Sequence, residues 1–91
     1  MEKVRGSVRV GNVRLYALST CIWCRKTKQL LDTNDIEYEY VYVDELEGEE
    51  KEAVKKQILE LTGKLSFPTV VINDTTVVGF DEPKLRKELR L

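Results

Sequence analysis

The chain has no histidine, one methionine, one tryptophan, two prolines and two cysteines among its 91 residues. Each shortage removes a class of function. Without imidazole there is no His-based acid–base catalysis and no His ligand for a metal. Two cysteines are too few for the multi-bridge scaffold of a small secreted domain. No apolar run approaches the ~18 residues that a membrane-spanning helix needs. The first residues, Met1-Glu2-Lys3-Val4-Arg5-Gly6, lack the apolar stretch of a secretory leader. A cytoplasmic setting is therefore expected, where thiols are kept reduced. Lys and Arg (15) nearly balance Asp and Glu (16), leaving a net charge of −1, so no global field points to nucleic acid or an anionic membrane. A chain of this length, with no linker, repeat or low-complexity tract, is expected to form one domain over residues 1–91.

What is present is a regular succession of short apolar runs. Val13-Arg14-Leu15-Tyr16-Ala17-Leu18 alternates as a strand does. Residues 1–12 read either as a frayed arm or as an extra edge strand. In the second case Ser7-Val8-Arg9-Val10 pairs with 13–18 through a turn at Gly11-Asn12. From Ile22 to about Thr33 good helix formers dominate, with Cys24, Thr27 and Leu31 on one stripe and Leu30 beside it. Ser19 or Thr20 is expected to supply the capping oxygen. Ile36 to Val43 is a strand rich in aromatic and β-branched residues, with Tyr38, Tyr40 and Tyr42 on one face and Val41 and Val43 on the other. Three aligned tyrosines can stack bases. No basic groove accompanies them here, so their expected task is to cover a helix with their hydroxyls at the rim.

The acidic run from Asp44 to Glu52 suits a helix start better than a metal site. The helix it opens extends to about Thr62, with Ala53, Val54, Gln57, Ile58 and Leu61 as its apolar stripe and Gly63 as its stop. Thr69-Val70-Val71-Ile72, a turn at Asn73-Asp74 and Thr75-Thr76-Val77-Val78 form a hairpin. Gly79-Phe80-Asp81 then leads into a last helix, with Asp81 as cap, Pro83 in the first turn, and Leu85 and Leu89 inward. The order predicts an α/β fold: a mixed four-stranded sheet flanked by three helices, with a possible extra N-terminal strand.

Both cysteines fall in Cys21-Ile22-Trp23-Cys24, where a strand hands over to a helix. Thiolate is the reactive form of cysteine, and an ordinary thiol near ~8.5 is mostly protonated at neutral pH. At a helix N-terminus, unpaired N–H groups favour negative charge on Cys21, and Arg25 and Lys26 add positive charge within a turn. Cys24, one turn on, can reach Cys21 while being more covered. Cys21 is then the attacking sulfur and Cys24 the resolving one. Ile22 and Trp23 give the loop an apolar surface for a protein partner. Three other readings exist. A structural disulfide would close so short a loop that it constrains little. A zinc site or a two-iron cluster would need two subunits, each lending Cys21 and Cys24. Two unrelated buried cysteines would have to share this spacing and junction by coincidence. A C-x-x-C next to a βαβ pattern reads as a redox pair.

From Val13 to Leu91 the chain resembles the glutaredoxin family within the thioredoxin-like, three-layer fold. The resemblance rests on Cys21-Ile22-Trp23-Cys24 after Leu15-Tyr16, on Phe67-Pro68-Thr69 before a strand, and on Gly79-Phe80-Asp81 before the last helix. It implies a dithiol–disulfide oxidoreductase that reduces protein disulfides through a mixed disulfide. It also implies a cis bond before Pro68, with the backbone of Phe67 free to pair with an extended substrate. Trp23, Phe67, Pro68, Gly79, Phe80 and Asp81 are then the substrate-binding set. Gly79 and Asp81 match the family's Gly-Gly-x-Asp segment for the γ-glutamyl end of glutathione, whereas Val78 replaces its first glycine. Family members that use glutathione usually carry Pro-Tyr between the cysteines and a lysine three residues before the first. Those positions are Ile22-Trp23 and Leu18. The chain is closer to small glutaredoxin-like redoxins that are reduced by a flavin or iron–sulfur reductase. The expected partners are disulfide-bearing clients, of ribonucleotide reductase or peroxidase type, and a reductase or glutathione as donor. No resident cofactor beyond the cysteine pair is expected, and the chain is expected to be a monomer.

Overall fold

A computed structural model describes all 91 residues. Its strands are β1 (Glu2–Val4), β2 (Val13–Ala17), β3 (Tyr38–Tyr42), β4 (Thr69–Ile72) and β5 (Thr75–Val78), and its helices are α1 (Ile22–Thr33), α2 (Gly48–Thr62) and α3 (Glu82–Leu89). The five strands form one mixed sheet in the order β1-β3-β2-β4-β5. β2 and β3 are parallel and joined through α1, while β2–β4 and β4–β5 are antiparallel. The fold is thioredoxin-like, and it is the predicted four-stranded arrangement with a fifth strand added at its edge.

β2 and β4 are covered on both faces. One layer joins Val13, Leu15, Ala17, Val70 and Ile72 of these strands to Leu30 and Leu31 of α1 and Leu85 and Leu89 of α3. The opposite layer sets Tyr16, Val41, Val43 and Val71 against Ile58 of α2. Strand alternation therefore sorts odd and even positions of β2 between two helix layers. The tyrosines of β3 obey the same rule. Tyr38 is buried, Tyr40 and Tyr42 pack against the α1 side, and the Tyr38 hydroxyl donates to Asp32 of α1 at 2.7 Å. Burial and that carboxylate push the phenol well above its ordinary pKa. They cover a helix, as predicted, and stack on one another and under Lys28 rather than presenting open faces.

α2 departs from its predicted stripe. Ile58 is its one fully buried residue and Val54 is half-buried, while Ala53, Gln57 and Leu61 are exposed. The helix lies on the sheet by a single line of contact, so a stripe two residues wide has nothing to cover its outer edge. The N-terminal segment also departs from expectation. A hairpin of 7–10 with 13–18 does not form. β2 already has β3 on one side and β4 on the other, so neither of its edges is free for another strand. The extra strand is instead Glu2–Val4, antiparallel to β3 at the sheet's edge. Val8 makes a lone parallel bridge to Ile36, its N–H donating to the Asp35 carbonyl at 3.0 Å and its carbonyl accepting from Glu37 N–H at 2.9 Å. Gly11-Asn12 is a loop clamped by Asn73, whose side chain accepts from Asn12 N–H and donates to the Val10 carbonyl, both at 3.0 Å.

The arm crosses the α1–β3 connection at Gly6, where a Cβ would sit 2.3 Å from the Asp35 carbonyl oxygen and 2.7 Å from the Ile36 carbonyl carbon. These neighbours are backbone and cannot rotate away. Gly6→Ala is expected to lift the arm, cost about 1–3 kcal/mol, and speed amide exchange at Val4 and Val8 while leaving β2 protected; unchanged exchange at Val8 would refute the close approach.

Candidate functional site

The C-terminal end of β2 delivers the chain to the cysteines. Ala17 is buried in the sheet, Leu18 packs into the α2-side layer, and Cys21 begins α1. Neither Ser19 nor Thr20 caps this helix. Cys21 is itself the N-cap, and its Sγ accepts the Cys24 backbone N–H at 3.2 Å. The sulfur thus occupies the position that a Ser or Asp oxygen fills at other helix starts, facing the orphan donors of the first turn.

The two thiols are free and unequal. Cys21 is partly exposed and Cys24 is buried, with 2% of its surface accessible. Burial pushes the Cys24 thiol from 9.0 up to about 12, aided by the Cys21 sulfur and opposed by the Leu18 backbone amide. The side chain sits in the same layer as Leu30, Leu31, Leu85 and Leu89. Behind it, Thr27 is fully buried, and its hydroxyl is satisfied by the Trp23 carbonyl at 2.8 Å.

Ser19 has a different partner from the one expected. Its N–H donates to Asp44 Oδ1 at 2.8 Å and its hydroxyl donates to Oδ2. These bonds hold the Asp44 carboxyl below its ordinary range. The carboxylate joins the loop before Cys21 to the 3-10 turn at Val43–Glu45 that comes after β3. Its charge also contributes to raising the Cys24 thiol. Asp44 reads in sequence as the first member of an acidic helix start; nothing local marks it apart, because its partner lies 25 residues away. Position gives the one available sign, since Asp44 directly follows a strand parallel to β2 and so ends at the same edge of the sheet.

The other predicted residues gather around the same edge. The Phe67–Pro68 bond is cis, Pro68 is buried, and Phe67 packs against both layers. Phe67 precedes β4, and its backbone N–H and C=O make no hydrogen bond within the chain. Gly79 has φ of +78°, which favours glycine, and its N–H donates to the Pro68 carbonyl at 2.7 Å, joining the two loops. A Cβ at Gly79 would meet nothing within 4 Å, so conformation rather than space selects the residue. Asp81 is exposed and caps α3, accepting the Lys84 N–H at 3.3 Å. Phe80 stacks on Trp23 with ring centroids 6.0 Å apart. The Lys26 ammonium, expected from the sequence to support Cys21, lies 5.0 Å from the centre of the Trp23 ring. Arg25 is exposed on the outer side of α1. No three His, Cys, Asp or Glu side chains converge in the chain to hold a metal. A metal site at the cysteines would have to draw ligands from a second chain.

Comparison with known proteins agrees with this geometry. The glutaredoxin family model matches residues 13–77. The chain is 40% identical over 78 residues to glutaredoxin 1 of Rickettsia prowazekii, covering 85% of this chain and 79% of that protein. Among solved structures, methanoredoxin of Methanosarcina acetivorans superposes with a TM-score of 0.94 at 40% identity, covering all of this chain and 97% of that one. A glutaredoxin from Methanosarcina mazei superposes with a TM-score of 0.90 at 43% identity, covering 99% and 87%. With a partly exposed sulfur capping a helix, a buried one a turn behind it and a cis-proline loop at the same sheet edge, the chain belongs to the glutaredoxin family, whose general chemistry is thiol–disulfide exchange.

Proposed function

We propose that the protein reduces disulfides of client proteins through Cys21 and Cys24 and is re-reduced by a protein reductase in preference to glutathione. The observation that supports this most directly is the inequality of the two sulfurs at the start of α1. The Cys21 thiolate attacks one sulfur of the client disulfide. A Cys21–client bond forms, the client S–S bond breaks, and the second client sulfur leaves as thiolate and takes up a proton. Cys24 then loses its proton and attacks Cys21 Sγ. The Cys21–Cys24 bond forms, the mixed disulfide breaks, and the remaining client sulfur departs as thiolate and is protonated. Two electrons pass from the dithiol to the client. The free N–H and C=O of Phe67 offer the client's extended backbone a strand-like pairing beside the sulfurs. Burial keeps Cys24 protonated at neutral pH, so Cys21 is the sulfur that attacks the client and Cys24 acts second, on the Cys21–client bond.

The preference for a reductase draws on Leu18. This position, where glutathione-using relatives carry lysine, holds an apolar side chain packed against the Val43 and Ile58 layer. It brings no cation to a glutathione carboxylate. Oxidised protein offered in parallel to glutathione, a thioredoxin reductase and a ferredoxin-linked reductase tests this; reduction by glutathione at least as fast as by either enzyme would overturn the donor assignment. The potential is expected at roughly −200 to −270 mV, the span of glutaredoxins and thioredoxin.

Cys21→Ser is expected to abolish insulin-disulfide reduction. Cys24→Ser is expected to retain attack and accumulate a mixed disulfide visible by mass; full activity of Cys21→Ser would end the assignment. Iodoacetamide at neutral pH should label Cys21 and spare Cys24 in the folded reduced protein. In Asp44→Asn, which removes one of the charges opposing the Cys24 thiolate, labelling of Cys24 should begin at a lower pH. The raised Cys24 thiol also ties stability to pH. Between 9.0 and about 12 the folded state holds a proton that the unfolded chain releases, so its contribution is complete below 9 and lost as pH rises through that window. The melting temperature of the reduced protein should therefore fall more steeply above pH 9 than that of Cys24→Ser.

A further inference from the structure

A shallow, open cleft of about 350 Å³ runs between α1 and α3. Lys26, Leu30 and Asn34 of the α1 side and Phe80 and Arg86 of the α3 side line it. Phe80 and Lys26 of its lining are also the two residues against the Trp23 ring, which places Trp23 next to it. Trp23 is 53% exposed and Ile22 59% exposed, and the Trp23 ring contacts both Phe80 and the Lys26 ammonium. From Trp23 to Asn34 the α1 face is about 16 Å long, the reach of about five extended residues.

The charge on the two sides of the sheet is unequal, although the chain as a whole is nearly neutral. The ion pairs of the chain use Arg9, Lys28, Lys55 and Arg86. Arg25 and Lys26 on α1 and Lys84 and Lys87 on α3 have no carboxylate partner. Glu82, the carboxylate in the lining, is already bound to Arg86 at 2.8 Å. On the other flank, residues 44–52 carry six carboxylates and one lysine. An incoming chain thus meets positive potential along α1 and α3 and negative potential along the segment after β3.

We propose that the cleft between α1 and α3 receives an acidic segment of the client protein, adjacent in the client's sequence to the disulfide that Cys21 attacks. This rests on the oxidoreductase reading above and assigns its client class. The apolar Ile22–Trp23–Phe80 surface supplies contact area beside the disulfide, and Lys26 in the lining, with Arg25, Lys84 and Lys87 on the flanking helices, selects the charge of the client residues that enter the cleft. A basic segment in the cleft would oppose Lys26, and an acidic one on the other flank would oppose Asp44 and its neighbours.

Reduced protein is mixed in single turnover with three disulfides: a neutral dialkyl disulfide and two cyclic Cys-x-x-Cys peptides that differ only in three flanking glutamates or three flanking lysines. At low salt the acidic peptide is expected to react at least about fivefold faster than the basic one. At about 1 M salt, where screening acts within ~3 Å, the ratio should approach one. Lys26→Glu with Gln29→Glu should reverse the order, and Lys55→Glu, a change of the same sign on α2, should not. Equal rates for the two peptides, or an equal effect of Lys55→Glu, would overturn the docking proposal while the neutral disulfide still reacts. Failure to reduce any of the three would overturn the oxidoreductase reading itself, and the proposal with it.

Discussion

Burial of the Cys24 side chain is the constraint on which the site depends. It locks the first turn of α1 into the layer formed by Leu30, Leu31, Leu85 and Leu89, so the helix start cannot drift relative to β2. Its neighbour three residues earlier is thereby left at the surface, as the helix cap. One hydrogen bond, from Cys24 N–H to Cys21 Sγ, then couples the two sulfurs through the backbone. A pair with both thiols exposed would be reactive but poorly ordered in its two steps. A pair with both buried would be inert. The difference in burial across one helical turn separates the attacking role from the resolving role without any further catalytic group.

Everything else at the site is loop held by long-range contacts. Asp44 fixes the Leu18–Cys21 segment from the end of β3, and the Gly79 N–H fixes the cis-proline loop from the end of β5. Asn73 does similar work at the opposite end of the sheet, where it clamps the loop before β2. In each case a single polar group from one connection satisfies the backbone of another. These cross-links lie at the two ends of the sheet, where the strand ladders stop and loop backbone would otherwise have no partner within the chain. The same arrangement explains the bipolar surface. The parallel crossover puts α1 and α3 on one side of the sheet and α2 with its acidic approach on the other, so charges that nearly cancel in composition are separated in space.

Much of this is legible in the residues. The runs 13–18, 36–43 and 69–78 alternate or cluster as strands do, α1 is marked by its stripe, and α3 by stripe, cap and proline. Cys21 and Cys24 are marked by spacing at a strand-to-helix junction. The N-terminal strand falls elsewhere than its pattern suggests, because local alternation at 7–10 says nothing about which sheet edge is vacant. The stripe of α2 is narrower than its period implies, because helical period shows which residues share a face and not how wide the supporting surface is. Lys26 is a neighbour of Cys21 by count of residues, whereas its long side chain reaches the Trp23 ring.

The sequence by itself determined the fold class, the order of elements and the identity of the reactive pair, because these depend on periodicity, turn chemistry and the spacing of two thiols. Only the tertiary contacts show that Cys21 caps its own helix, that Asp44 belongs to the cysteine loop, and that the basic helices share one flank. Those properties depend on contacts between residues far apart in the chain, and a local pattern has no term for the partner it will meet.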